Sequence, residues 1–368
     1  MSIHLHWFLP TNGDSRDIVG SGDGSQLTLG AVADGFRRPG IDYLGQIARS
    51  AEQLGFEAVL TPTGTWCEDA WITTAALTQV TKKLKFLVAF RPGLITPTLA
   101  AHQAATFQRI SGGRLLLNIV TGGDPVEQRR FGDHLDHDQR YARTDDFLAV
   151  LRGVGGAPEP FDFTGEHYRI EQARIPFDPW PPPQIFFGGA SPAAERVAAR
   201  HVDTYLAWGE TPPQIAERLE RMRKLAAEAG RTLSFGIRFH VLSRDTADEA
   251  WAEAERLLGR IDPDRVELVQ RQFAAGESVG QRRMSELHGG RRDRLVVYPN
   301  VWAGYGLVRG GAGTALVGSH GEVAERIREY HDLGIDHFIL SGQPHLEEAY
   351  HFGEGVMPIL RRAGLLDG

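Results

Sequence analysis

Cysteine is almost missing from this chain. Cys67 is the single one in 368 residues, which excludes an internal disulfide framework and any multi-cysteine metal site. Basic charge is not in excess either: 40 Lys and Arg stand against 47 Asp and Glu, a net charge of −7, and the cations are scattered rather than clustered. A nucleic-acid partner is therefore not expected. No apolar run approaches the roughly 18 residues of a membrane span, and the opening MSIHLHWFLP lacks the basic region and long apolar core of a secretory signal. Internal repeats and low-complexity tracts are absent as well. The expectation is a cytoplasmic protein without a membrane partner, and a length that suits a single barrel domain, residues 1–368, with insertions.

What is present is an alternation. Short apolar runs at 3–9, 57–62, 84–90, 114–121, 184–188, 203–208, 234–242 and 336–341 read as strands. Stretches of helical period occupy 41–54, 69–80, 97–110, 140–152, 191–201, 212–229, 246–259, 320–333 and 345–362. Eight strands alternating with helices predict an α/β fold, a (β/α)8 TIM barrel. Three stretches interrupt the repeat. A Gly-, Ser- and Asp-rich loop fills 11–40, a hairpin turning at Thr164-Gly165 is expected in 159–172, and 260–319 is an insertion that ends in NVWAGYGLVRGGAGTALVG. Long Gly-rich loops in compact domains are commonly binding loops, so the insertion is expected to act as a mobile lid.

In such barrels the chemistry sits at the C-terminal ends of the strands. Several predicted strands end in polar residues: Asn118 and Thr121 on the fourth, Trp208 on the sixth, Arg238 and His240 on the seventh, and Ser341 to His345 beyond the eighth. In FGIRFHVL, residues 235–242, Arg238 and His240 share a strand face with Gly236 while Phe235, Ile237, Phe239 and Val241 share the other. FFGGASP, 186–192, follows the fifth strand: two glycines bring backbone close to a ligand, Ser191 caps the next helix and Pro192 suits its first turn. Free N–H groups there can hold a phosphate, although an ordinary strand-to-helix turn reads the same way. His4 and His6 share a strand face and DHLDHD mixes histidine with aspartate, but neither has a further ligand to complete it, so no metal is expected. Cys67, just before a helix, reads as a small pocket residue rather than a nucleophile.

The segments FLPTNGDSR, PTGTWCEDAW, KFLVAFRPG, NIVTGGD, FFGGASP, DTYLAWGE, FGIRFHVL, NVWAGYGLVRGGAGTALVG and LSGQPHLEEAY together resemble the FMNH2-dependent alkanesulfonate monooxygenases, two-component enzymes of the bacterial luciferase superfamily. The resemblance runs from residue 7 to about 352. It implies a luciferase-like barrel that takes FMN as FMNH2 from a separate NAD(P)H-dependent FMN reductase and uses O2 to split a small anionic organosulfonate into aldehyde and sulfite. It implies flavin contacts from Asn118, Thr121, Tyr141, Ala190 and Ser191, and substrate or oxygen chemistry at Trp208, Arg238, His240 and Arg309, with Arg309 brought down by the lid. It also implies a homo-oligomer, dimer or tetramer. Departures from the family pattern fall on substrate-side positions: Gln343 replaces tyrosine, Thr65 and Trp66 replace arginine and serine before Cys67, and Asn12 replaces histidine. They leave open another small organosulfur substrate, or a deazaflavin-dependent oxidoreductase on the same barrel.

Overall fold

A computed structural model describes residues 2–19, 35–156, 159–175 and 181–366. Half of the predicted loop 11–40, residues 20–34, thus lies outside the described residues. Eight parallel strands close into a barrel: His4–Phe8, Ala58–Thr61, Lys85–Phe90, Leu115–Ile119, Ile185–Gly188, Thr204–Trp208, Ser234–Arg244 and His337–Ser341. Each pairs with the next in sequence, and the eighth closes the ring onto the first. All eight correspond to the apolar runs read from the sequence.

Side chains alternate across this wall. Phe8, Ala58, Leu60, Leu87, Leu116, Phe186 and Ile339 fill the interior, while Val59, Phe86, Val88, Leu115, Leu117, Phe235, Ile237, Phe239 and Val241 pack against the surrounding helices. On the seventh strand Arg238 lies in register with Trp208 of the sixth and Ile339 of the eighth, and His240 with Ser341. Gly236 is required by crowding, since a Cβ there would stand 2.5 Å from Leu206. Near the barrel floor His337 stacks between His4 and His6, with ring centroids 4.5 and 5.3 Å away, and His6 Nε2 meets His337 Nδ1 at 3.0 Å. The third histidine that the first strand appeared to need comes from the eighth, but as a parallel stack. Among the described residues no group of three or more His, Cys, Asp or Glu has a metal-holding arrangement.

The hairpin pairs Phe161–Thr164 with Arg169–Ala173 and packs on the helix His137–Gly156. The insertion begins in helix, as its polar helical sequence at 260 onward suggests. It holds two helices, Pro263–Ala274 and Val279–His288, two short antiparallel strands, Val296–Tyr298 and Val301–Trp302, a 3-10 turn at Tyr305–Leu307, and a strand at Ala315–Ser319. That last strand lies parallel to the outer half of the seventh barrel strand, Ala315 opposite His240 and Ser319 opposite Arg244. Trp302, Tyr305, Leu307, Val308, Ala315 and Val317 join Leu242, Ala250, Ala254 and Leu257 in a second apolar core. Two of its glycines serve close packing: a Cβ on Gly313 would stand 2.7 Å from the Gly306 Cα, and the Gly306 N–H donates to the Gly313 carbonyl at 2.8 Å.

Because Trp302 is buried to 3 % exposure, Trp302→Ala is expected to destabilise the protein by about 3–5 kcal/mol in a denaturant melt. A loss under about 1 kcal/mol, as at an exposed loop position, would contradict this packing.

Candidate active site at the barrel mouth

A cavity of about 300 Å³ opens at the C-terminal ends of the strands, within the range of small-ligand sites. Asn118, Thr121, Tyr141, Ala190, Ser191, Trp208 and Arg238 all line it. The turn after the fifth strand is built from bare backbone. A Cβ on Gly188 would stand 3.1 Å from the Leu206 carbonyl oxygen, and one on Gly189 would stand 2.5 Å from Ala194 and 3.3 Å from the Tyr141 hydroxyl. Tyr205 holds the turn by donating its hydroxyl to the Gly189 carbonyl at 2.6 Å. Ser191 caps the helix Pro192–His201, its Oγ accepting the Ala194 N–H at 3.2 Å. The positive end of that helix, with Pro192 following the cap, therefore faces the cavity beside Tyr141. Burial pushes the Tyr141 phenol up, against the opposing pull of Ser191 and Thr121, so it stays a hydroxyl that can donate.

The insertion supplies the opposite wall. Ser278, Val279 and Gly280 line the cavity, and a Cβ on Gly280 would stand 2.9 Å from the Trp208 ring. This helix end is tied to the barrel by Glu210, which is buried and bridges Arg283 of the insertion to Arg218.

Arg238 reaches the cavity from below. Its guanidinium lies 4.4 Å over the Phe8 ring, and its Nη1 donates toward Ser341 Oγ at 3.4 Å. Burial lowers its pKa to about 9, so it remains protonated at neutral pH. Ser341 passes the polarity on: its hydroxyl donates to His240 Nδ1 at 2.8 Å, and His240 Nε2 then donates to the Ala312 carbonyl at 3.1 Å. His240 is 1 % exposed and stacks on Tyr305 at 3.8 Å. Burial, reinforced by Arg238 and His345, holds its pKa well below the ordinary histidine value.

A third group sits where the first and eighth strands end. Asp14 is fully buried; its carboxylate accepts the His345 N–H at 2.7 Å, His345 Nδ1 at 2.9 Å, the Tyr43 hydroxyl at 2.6 Å and the Ser15 N–H at 2.9 Å. Burial opposes its charge, but His345 and Tyr43 outweigh burial and keep the carboxyl below its usual range. His345 is lowered by burial, against Asp14, and by the charges of Arg309 and Arg238. Arg309 is 2 % exposed, its guanidinium 5.9 Å from the Tyr305 ring centroid, and burial lowers its pKa to about 9.

Residues 3–337 match the model of the luciferase-like monooxygenase family. The chain belongs to that family. Among solved structures it is similar to a riboflavin lyase crystallised with modified FMN and riboflavin, at 20% identity and a TM-score of 0.77 over 100% of this chain and 93% of that one. An EDTA monooxygenase from Chelativorans sp. BNC1 matches at 19% identity and 0.74, over 100% and 95%. An F420-dependent secondary alcohol dehydrogenase matches at 17% and 0.68, over 98% and 99%. At these identities the likeness is one of fold.

In this luciferase-like monooxygenase the residues named from sequence divide into two sets. The seven above share the cavity. His240, Arg309, Gln343, Asn12, Trp66 and Cys67 are not among its lining residues. Arg309 is buried against the insertion. The Cys67 thiol is pushed up to about 12 by burial, and its Sγ lies 3.7 Å from the Gly64 carbonyl, so it is no thiolate. Trp66 folds back over Gly64, where a Cβ would stand 2.2 Å from the indole nitrogen. Three features went unrecognised in the sequence: Asp14, which no periodicity marks in a polar loop; Glu210 with its two arginines; and the Ser278–Gly280 wall. His345 lay in a stretch already singled out, but its partner did not.

His240 is expected to stay neutral, with the proton on Nε2, from pH 8 down to pH 5. Imidazole nitrogen shifts measured by NMR across that range check this. A titration centred near the ordinary value of about 6.5 would show that the ring is not held as described.

Proposed function

We propose that this chain is a monooxygenase that uses reduced FMN and O2 to cleave the carbon–sulfur bond of a small alkanesulfonate: RCH2SO3⁻ + FMNH2 + O2 → RCHO + HSO3⁻ + FMN + H2O. The observation that carries this reading is the single cavity in which a helix N-terminus with a glycine turn and a buried, protonated guanidinium stand at the same mouth. The residues fit the cofactor. Gly188 and Gly189 leave a cradle that a Cβ would fill, Ser191 and Tyr141 offer hydroxyls to a phosphate, and Asn118 offers an amide to a ring edge. The fold similarity to a riboflavin lyase crystallised with a modified FMN supports a flavin in this cleft, and the segment-by-segment resemblance to alkanesulfonate monooxygenases supports the substrate class.

Bound reduced FMN would supply the electrons that activate O2. The chain's own residues do the rest. Arg238 binds the sulfonate through charge-assisted bonds, for which a guanidinium fork suits a fixed anion better than a lysine. Arg309 adds a second positive charge on the Asp14 side. His345, its Nδ1 bonded to Asp14, holds that carboxylate in place, while His240 holds Ser341 and Arg238 in place. Trp208 and the Ser278–Gly280 wall exclude water from the reacting centre. The helices Pro263–Ala274 and Val279–His288 are the part of the insertion that serves as a cover. Nothing in the sequence resembles a dinucleotide-binding fingerprint, in keeping with a separate reductase as the source of FMNH2.

The deciding measurement is sulfite release from a panel of alkanesulfonates with reduced FMN and O2. Sulfite formed in step with oxygen uptake is expected; turnover without oxygen would instead favour a hydride-transferring enzyme of the F420 type, and no sulfite from any sulfonate would remove the substrate class. Arg238→Ala is expected to lower kcat/KM for sulfite release by about 30-fold to several thousand-fold, since deleting one partner of a desolvated charge pair costs roughly 2–5 kcal/mol. Arg238→Lys keeps the charge, loses the fork and should remain clearly impaired. Parent rates in Arg238→Ala would remove the role assigned to the seventh strand.

A further inference from the structure

Two arginines line the cavity, and they approach it from different sides. Arg238 stands by the first and eighth strands, over Phe8 and against Ser341. Arg218 comes from the helix Pro212–Glu228; it is 3 % exposed, its Nη2 donates to Glu210 Oε1 at 2.5 Å, and its Nε has no hydrogen-bond partner. Helical geometry puts Arg218 beside the glycine turn. Three residues further along the same face, Arg221 donates from Nε and Nη2 to Glu195 of the neighbouring helix Pro192–His201, at 2.7 to 3.2 Å. Both helices follow parallel barrel strands and run the same way, so one turn back from that ion pair brings Arg218 level with Ser191. Electrostatics agrees. Burial pushes the Tyr205 phenol up, and the strongest charge acting against that shift is Arg218; the same hydroxyl donates to the Gly189 carbonyl at 2.6 Å.

A phosphate monoester carries close to two negative charges at neutral pH, whereas a helix N-terminus offers roughly half a positive one. The hydroxyls of Ser191 and Tyr141 add hydrogen bonds but no charge. Taking such an anion out of water calls for a full cation as partner. The ion pairs at this side of the cavity leave one over. Arg221 is matched by Glu195, but the single carboxylate of Glu210 lies between two guanidiniums, those of Arg218 and Arg283. Of these two, Arg218 lines the cavity and keeps an unpartnered N–H. We propose that Arg218 is the residue that reads the phosphate of the flavin, so that the chain takes FMN in strong preference to riboflavin. This rests on the flavin reading above and adds the group that answers the phosphate's charge. Glu210 orients that guanidinium and, through Arg283, ties it to the helix whose start forms the Ser278–Gly280 wall.

The test compares reduced FMN with reduced riboflavin, which differ only in the phosphate, by anaerobic calorimetry on the parent and on two variants. Arg218→Gln removes the charge but keeps a donor for Glu210; Arg218→Met keeps little more than the length, and in both Arg283 still holds Glu210. Each is expected to weaken FMN at least about 30-fold, the scale of one charge-assisted bond in a desolvated site, and to leave riboflavin within about 3-fold of the parent. Riboflavin bound at parent strength also shows that the variant's cavity is intact. Inorganic phosphate should compete with FMN on the parent and leave FMN binding to Arg218→Gln unchanged. Equal affinity of the parent for the two flavins, or an FMN preference that survives in either variant, would overturn the assignment while leaving the flavin reading in place. Equal weakening of both flavins would also overturn it, since Arg218 would then only support the wall. A parent that binds neither flavin would overturn the assignment and the flavin reading together.

Discussion

The mouth of this barrel depends on one buried carboxylate. Asp14 carries its charge at zero exposure, which is tolerable only because backbone and side-chain donors from Ser15, Tyr43 and His345 surround it. Those bonds join the chain leaving the first strand to the chain leaving the eighth, and so complete at the mouth the closure that the strand ladder makes below. The same helix that begins at His345 also sends Glu347 to Arg37 and Glu348 to Arg244. Three adjacent elements are therefore held in one geometry, and the positions of Gln343, Ser341 and Arg238 follow from it.

A second consequence concerns charge. Arg238 and Arg309 both act on His345, and burial weakens the protonation of all three. The arginines keep their protons at neutral pH because their starting values are so high, whereas histidines in the same surroundings do not. On the proposed reading, the guanidinium is the group suited to hold the anion. His240 has both ring nitrogens occupied, by Ser341 and Ala312, and a face covered by Tyr305. Its part is to hold Ser341, and through it Arg238. The insertion contributes shape more than charge, packing its outer half into a second core and leaving the Ser278–Gly280 helix end over the cavity.

How much of this could be read beforehand differs from residue to residue. The eight barrel strands were legible because strands walled on one side by helices and on the other by a packed interior are short, continuous apolar runs, and period-two alternation then gave the inward face of Arg238 and His240. The Gly188–Ser191 turn was legible because turn and cap chemistry are local. Ala315–Ser319 was not, because its glycine-rich surroundings look like a loop, and only the close approach of Gly306 to Gly313 shows that those glycines are there to be packed upon. Asp14 was not, because an aspartate in a polar segment gains its meaning from a histidine 331 residues away.

By itself, then, the sequence determined the barrel, the order of its strands, and which side chains face inward, all properties set by local periodicity and neighbouring turns. The tertiary structure alone decided which inward residues share a cavity, which are locked by partners, and which polar atoms are left for a ligand. The physical reason is that burial, protonation and hydrogen-bond satisfaction are set by groups distant in sequence. The imidazoles of His240 and His345 look alike in the chain, and only their neighbours set one between Ser341 and Ala312 and the other against Asp14.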